Sequence, residues 1–79
     1  MSDEIRVRAA KALSLALERP VSPSENPVRG QTANWDSLKH IELLLLLEAE
    51  FKIRFSAQEA GSLQSLDDIV RIVKAQHGP

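Results

Sequence analysis

The apolar positions of this chain recur every three or four residues in two long stretches, which is the spacing of an amphipathic helix. The first stretch runs from Ser2 to about Glu18, and its apolar stripe consists of Ile5, Ala9, Ala12, Leu13, Ala16 and Leu17. The acidic residues Asp3 and Glu4 suit the beginning of this helix, because negative charge there complements the helix dipole. Pro20 is expected to end it.

The second stretch begins at Asp36-Ser37 and continues to about Phe51. Asp and Ser are both favoured N-cap residues, and the interior of this stretch is rich in strong helix formers. The five consecutive leucines Leu43–Leu47 cannot all face one side of a helix with about 3.6 residues per turn. The first and the last of the five are predicted to enter the core, and at least one of the others is predicted to be exposed.

Two further helix starts consist of a serine followed three positions later by an acid, the pattern of a capping box. Ser56, with Glu59, opens a short helix that Gly61 is expected to terminate. Ser65, with Asp68, opens a helix of about three turns. Its apolar stripe is formed by Leu66, Ile69, Val70 and Val73.

The connection between the first two helices, 19–35, contains three prolines and a glycine, so it is not expected to hold a helix of ordinary length. Within it, 22–25 could form one helical turn, and Val28 and Trp35 are predicted to fix the loop to the core. The predicted fold is therefore all-α: a small four-helix bundle of three main helices and one short helix, with a long loop between helices one and two. It is expected to form a single domain over residues 1–79, without strands.

Composition narrows the function classes. The chain has no cysteine, which excludes a disulfide scaffold, a cysteine-based zinc site and a thiol nucleophile. The two histidines, His40 and His77, have no ligand-like spacing, so no metal site is expected. A formal net charge of −1 does not fit a nucleic-acid binder. The charged N-terminus does not read as a signal peptide, and the run 41–47 is too short to cross a bilayer. A cytoplasmic monomer is expected.

The most informative segment is 35–38, which reads Trp-Asp-Ser-Leu at a helix start and is followed by a leucine-rich helix ending in Glu-x-x-Phe at 48–51. This pattern resembles the acyl carrier protein family, whose signature is Asp-Ser-Leu at the start of its second helix. The resemblance extends from about Trp35 to Val73. It implies a carrier without catalytic activity, in which Ser37 is esterified by the 4'-phosphopantetheine of coenzyme A and the terminal thiol of that arm holds acyl or aminoacyl groups as thioesters.

The resemblance also implies partners. These are a phosphopantetheinyl transferase, an acyl- or aminoacyl-loading ligase and a downstream acyltransferase or synthase. In the family the second helix is the docking surface and meets basic patches on these enzymes. The matching acidic residues here are Asp36, Glu42, Glu48 and Glu50, with Lys39 cancelling one charge. Large aliphatic side chains have little other reason to be exposed on this helix. The apolar anchors are expected to be Ile41 and Leu45, and Leu38 of the signature is also expected to bind partners.

Three features differ from the fatty-acid-synthesis members of the family. The chain is nearly neutral, Trp35 directly precedes Asp36, and Lys39 and His40 follow the signature. These differences favour a dedicated carrier in a specialised biosynthetic pathway over one in bulk fatty acid synthesis. The bulk of three core candidates leads to the further hypothesis that only short cargo fits inside the bundle. These candidates are Leu46, Leu63 and Ile72.

Three other functions are compatible with parts of the sequence. Asp36, Ser37 and His40 lie within five residues, as in a compact hydrolase site, but no nucleophile elbow or oxyanion hole accompanies them. A helix-turn-helix DNA binder is disfavoured by the charge. The main alternative is a helical protein–protein interaction module that uses the strip from Ile41 to Leu45, with Ser37 acting only as a helix cap.

Overall fold

A computed structural model describes residues 3–77 and is entirely helical over that range apart from loops and one isolated bridge. The helices are α1, α2, α3 and α4, covering Glu4–Leu17, Ser37–Phe51, Ala57–Ser62 and Leu66–His77. A single 3₁₀ turn, Arg29–Gln31, lies in the long loop between α1 and α2. The prediction of an all-α bundle with three longer helices and one short helix is confirmed.

The first helix, α1, begins two residues later than predicted. Its N-cap is Asp3, whose carboxylate accepts a hydrogen bond from the amide of Arg6 at 3.2 Å, and the predicted start at Ser2 lies outside the described residues. The helix ends through Glu18, which adopts a left-handed conformation with φ 56°, before Pro20 is reached. The predicted apolar stripe faces the core: five of its six residues are buried, and Ile5 packs partly buried against them.

The second helix, α2, has the predicted bounds and runs antiparallel to α1. The ammonium of Lys39 in its first turn lies 2.6 Å from the carboxylate of Glu18, at the end of α1. At the opposite end, Arg8 binds the carboxylate of Glu50 at 2.6 Å and places its guanidinium over the ring of Phe51. The prediction for the five leucines is confirmed, because Leu43 and Leu47 are fully buried and Leu45 is exposed.

The capping box of α3 is present as predicted: the side chain of Ser56 accepts from the amide of Glu59, and the Glu59 carboxylate accepts from the amide of Ser56. The prediction that Gly61 terminates this helix is wrong, since the helix includes Gly61 and ends at Ser62. Glycine costs a helix only about 1 kcal/mol relative to alanine, so the cap at the other end decides where the helix lies. The chain leaves α3 where Leu63 turns into the core.

The last helix, α4, starts at the predicted serine: the Ser65 hydroxyl accepts from the amide of Asp68 at 3.1 Å. All four residues of its predicted stripe are buried, and Ile72 is buried beside them. Near its end, the ammonium of Lys74 lies 2.8 Å from the carboxylate of Asp3, the residue that caps α1. This hydrogen bond lowers the pKa of the Asp3 carboxyl below its ordinary value.

The long loop is fixed by backbone hydrogen bonds as well as by apolar side chains. Trp35 is buried as predicted, but Val28 is only half-buried and holds the loop through an antiparallel bridge with Ser65. The amide of Arg29 donates to the carbonyl of Gln64 at 2.7 Å next to this bridge. The segment 22–25 forms a turn instead of a helical turn.

One arginine joins the loop to two helices. Arg6 of α1 donates to the carbonyl of Glu25 at 2.8 Å, to the carbonyl of Pro23, and to the carboxylate of Asp67 at the start of α4, 2.6 Å away. The amide of Asp67 in turn donates to the side chain of Asn26 at 2.8 Å. These bonds hold the first half of the loop, and the buried Trp35 holds its end directly before α2.

Candidate functional site

The first residue of α2 is Ser37, and its side chain is exposed. The N-cap is the preceding Asp36, whose carboxylate accepts from the amide of Lys39 at 2.9 Å. The idea that Ser37 is itself the cap is therefore wrong. Within residues 3–77 no protein group accepts from the amides of Ser37 and Leu38 and none bonds to the Ser37 hydroxyl. The serine oxygen thus stands in solvent beside free N–H groups at the positive end of the helix dipole.

A lysine next to this serine is committed to neighbouring acids. The Lys39 side chain is only 18% exposed, and its ammonium lies 2.6 Å from Glu18 and 3.8 Å from Glu42. The hydrogen bond between Lys39 and Glu18 lowers the pKa of the Glu18 carboxyl, and it raises the pKa of the Lys39 ammonium. Lys39 therefore remains charged and is directed at the junction of α1 and α2, which leaves Asp36 and Glu42 as exposed acids of the first turns.

Trp35 and His40, which precede and follow Ser37 in the sequence, form a buried polar pair. The indole Nε1–H of Trp35 donates to Nδ1 of His40 at 3.0 Å, and the two rings are stacked with centroids 6.1 Å apart. Nε2 of His40 lies 2.8 Å from the carbonyl oxygen of Ala60 in α3. A carbonyl can only accept, so Nε2 carries the ring proton, and Nδ1 is the acceptor of a neutral imidazole. His40 therefore joins the loop, α2 and α3.

This arrangement separates the three residues that resembled a hydrolase site. The Asp36 carboxylate caps the helix, and both ring nitrogens of His40 are engaged by Trp35 and by the carbonyl of Ala60. A triad needs the histidine to accept from the serine hydroxyl while an acid holds its other nitrogen. Asp36, Ser37 and His40 do not have that geometry.

The predicted apolar anchors and Leu38 form one exposed strip on α2. Leu38, Ile41 and Leu45 are 63%, 55% and 62% exposed, respectively. Their spacing of three and four residues places them on one face of the helix. Exposed Asp36 and Glu42 flank this strip near Ser37. The structure therefore brings five of the six predicted partner-binding residues together in an apolar surface with acidic neighbours.

The remaining acids of α2 are directed elsewhere. Glu48 is half-buried, and its carboxylate accepts from the amide of Phe55 at 2.9 Å, so it fixes the chain that follows α2. The Glu50 side chain is bound to Arg8 of α1, which removes it from the proposed docking face. Of the four acids predicted to meet a partner, Asp36 and Glu42 lie exposed beside the strip, whereas Glu48 and Glu50 bond to other parts of the chain. That these acids bind a partner stays a prediction.

An open groove of about 470 Å³ continues the exposed strip beyond Leu45. Its other lining residues come from the end of α2 and the segment after it: Glu48, Ala49, Lys52, Ile53 and Arg54. Sequence reasoning missed this groove. The available signal is the short alternation of apolar and basic residues at 51–55, which is too short to form a paired strand.

Two other features are absent from the described part of the chain. In residues 3–77 no cluster of His, Asp and Glu side chains is arranged to hold a metal ion. Over the same residues, none of the helices combines the length and the apolar character needed to span a membrane.

Comparison with known proteins identifies a relative. An acyl carrier protein of Chlamydia caviae is 33% identical to this chain over 55 residues, which cover 70% of the chain and 71% of the relative. No family model matches the chain, and no solved structure matches it. The matched segment thus covers more than two thirds of both chains. The chain therefore belongs to the acyl carrier protein family.

Proposed function

We propose that this protein holds acyl or aminoacyl groups as thioesters on a 4'-phosphopantetheine arm attached to Ser37 and delivers them to partner enzymes. Membership of the family supports a carrier role in general. The observation that carries the specific proposal is the position of Ser37, exposed at the first residue of α2 and relieved of capping by Asp36. Its hydroxyl is thus available for esterification.

The residues around Ser37 fit the phosphate of such an arm. A phosphodiester on the serine oxygen would lie next to the free amides of Ser37 and Leu38, at a helix N-terminus that favours negative charge. This interaction is worth about 0.3–1 kcal/mol at an exposed site. The capping bond of Asp36 fixes the first turn, so the amides keep this direction. When bound, the arm supplies a thiol on which cargo is held as a thioester.

The surroundings of Ser37 also favour modification by a separate enzyme. A serine hydroxyl needs a base to become a nucleophile. The nearby imidazole of His40 is buried, and both of its nitrogens are bonded to other groups. The chain would therefore rely on a phosphopantetheinyl transferase for attachment, with coenzyme A as the donor, and would act as a carrier without its own catalytic step.

The docking surface for this transferase, for a loading ligase and for a downstream acyltransferase or synthase is proposed to be the strip of Leu38, Ile41 and Leu45. These side chains are more than half exposed and begin one residue after Ser37. Asp36 and Glu42 would orient partners that carry basic residues around an apolar pocket. Glu48 is expected to contribute less, because its carboxylate is already bonded within the chain.

The wider setting is proposed from the sequence. The near-neutral charge and the Trp35–His40 pair distinguish this carrier from strongly acidic ones, which supports a specialised biosynthetic pathway. We further propose that residues 1–79 act as one carrier domain in the cytoplasm. The second candidate function, a non-catalytic interaction module, is favoured by the same exposed strip, although the helix is capped by Asp36 and not by Ser37.

Intact-mass spectrometry tests the proposal directly. The purified protein is incubated with coenzyme A, magnesium and a broad-specificity phosphopantetheinyl transferase. The wild type is expected to gain one phosphopantetheine, located on Ser37 by peptide mapping, and Ser37→Ala is expected to gain none. Ser24→Ala, which removes an exposed loop serine, is the matched control and should be modified like the wild type. An unmodified but folded wild type would overturn the proposal in favour of the interaction module.

A further inference from the structure

We propose that cargo carried on Ser37 stays outside the helical bundle, because the hydrogen bond between His40 and Ala60 closes the space between α2 and α3. This inference rests on the function proposed above and adds the class of cargo. The inference rests on two hydrogen bonds of His40 and on the packing of the core. Together they leave an acyl chain neither an entrance between the helices nor a cavity to occupy. The cargo expected for such a carrier is short or polar.

The core beneath α2 has no free volume next to its central side chains. Any cavity large enough for a water molecule would appear as accessible surface on the side chains around it. Leu43 and Leu47 of α2 have none, and neither do the facing residues from the rest of the chain: Leu63, Leu66, Ile69 and Val73. Interiors packed in this way do not admit additional methylene groups without displacing side chains.

The boundary between α2 and α3 is closed near Ser37 by a polar bond. His40 lies three residues after Ser37, about 4.5 Å further along the helix axis. Its Nε2–H donates to the Ala60 carbonyl at 2.8 Å, and its Nδ1 accepts from Trp35. A chain that entered here would have to separate His40 from Ala60 and leave a buried donor and acceptor facing methylene groups. Unpaired buried polar groups are unfavourable, so the closed arrangement is favoured.

The other edges of α2 are also fastened by polar contacts. At its far end, the Glu48 carboxylate holds the amide of Phe55. On the side of α1, the two ion pairs with Glu18 and Arg8 lie at opposite ends of the helix. A carrier that opened for a long chain would have to loosen one of these contacts, and the nearest one to Ser37 on the α3 side is the contact made by His40.

The experiment uses the full-length protein loaded by the transferase with acetyl or octanoyl pantetheine from the matching acyl coenzyme A. Two readouts compare the two cargoes. The methyl resonances of Leu43, Leu47 and Leu63 report a chain inside the core, and the rate of thioester cleavage by hydroxylamine reports protection from solvent. In the wild type, both cargoes are expected to give the same methyl spectra and the same cleavage rates. Shifted core methyl resonances together with slower cleavage of the octanoyl thioester would overturn the proposal.

Variants of His40 test whether its hydrogen bond is the closing element. His40→Ala removes the donor, so the octanoyl chain of this variant is expected to enter the bundle. Its thioester should then be cleaved on the order of fivefold more slowly than the acetyl thioester, the factor that corresponds to the free energy of one net hydrogen bond. His40→Gln keeps an amide donor and is expected to behave like the wild type. Leu15→Ala, at an exposed apolar position of α1 outside the proposed docking strip, is the matched control and should show no difference between the cargoes.

The outcomes separate the two proposals. Failure of the wild type to accept either acyl pantetheine contradicts the carrier function at Ser37. Loading followed by burial of the octanoyl chain in the wild type leaves the carrier function intact and contradicts only the closed bundle. If His40→Ala does not fold, it is replaced by His40→Leu, which retains side-chain volume without a donor. The comparison of acetyl and octanoyl cargo on the wild type decides by itself where the cargo lies.

Discussion

Two regions of this small protein are held together by different kinds of contact. The helices α1, α2 and α4 each bury several apolar side chains against one another. The short helix α3 buries none of its own, and polar bonds hold it: the capping box at Ser56, the bond from His40 to Ala60, and a contact between Gln76 and Glu59 at 3.2 Å. Apolar burial supplies most of the free energy of folding. The difference therefore indicates that local unfolding of α3 costs less free energy than unfolding of the other three helices, while the closed arrangement remains the favoured one.

The largest effect is expected for truncation of a fully buried leucine in the packed region. Leu47→Ala leaves a cavity in the core and should lower the free energy of unfolding by about 2–5 kcal/mol. Leu45→Ala, two positions earlier but 62% exposed, is the matched control and should change it by only about 0.5 kcal/mol or less. Urea denaturation followed by circular dichroism measures both. Equal losses would contradict the division of α2 into a core face and an exposed face.

The next largest effect is expected at the polar contact that joins the two regions. His40→Ala deprives the Trp35 indole and the Ala60 carbonyl of their partner and should destabilise the protein by about 1–3 kcal/mol. His40→Gln should recover part of this loss. Indole fluorescence of Trp35 during urea unfolding measures the change. A variant as stable as the wild type would show that α3 does not depend on this bond.

A smaller and more local effect is expected from the cap of α3. Ser56→Ala removes one half of the capping box and should lower the free energy of opening of this helix by about 1 kcal/mol. Hydrogen exchange is the appropriate measurement: the amides of α3 should exchange faster while those of α1 are unchanged. Faster exchange in both helices to the same extent would mean that α3 unfolds only with the whole molecule.

The smallest effect is expected at the exposed ion pair of the packed region. Lys39 lowers the pKa of the Glu18 carboxyl in the folded protein, so the ionised carboxyl stabilises the fold above its ordinary pKa of 4.5, and this contribution disappears as the pH falls through the lowered value. Glu18→Gln should therefore be slightly less stable than the wild type at neutral pH, and the difference should vanish in acid. Thermal unfolding at several pH values measures it. A difference that grows below pH 4.5 would contradict this assignment.

The contrast between helices packed by apolar side chains and a helix held by polar bonds also explains which features the sequence could predict. The packed helices follow apolar stripes that are local and periodic, so their bounds and buried faces were predicted closely, including Leu43 and Leu47. Ser37 could be singled out as a candidate because its signature is also local. The tie between His40 and α3 could not be predicted, since its acceptor is a backbone carbonyl 20 positions away. Arg6 likewise binds Asp67 across 61 positions and gives no local signal. The ion pair of Glu50 could not be predicted either, because its partner, Arg8, lies on another helix.

The contact between Lys74 and Asp3 has a practical consequence. These residues lie 71 positions apart, close to the two ends of the described chain, yet their charged groups are 2.8 Å apart. A folded segment whose ends meet at one place can be inserted into a surface loop of an unrelated protein with short linkers and little distortion of the host. Residues 3–77 would thus form an insert that, under the function proposed above, carries Ser37 with it as a site for covalent labelling.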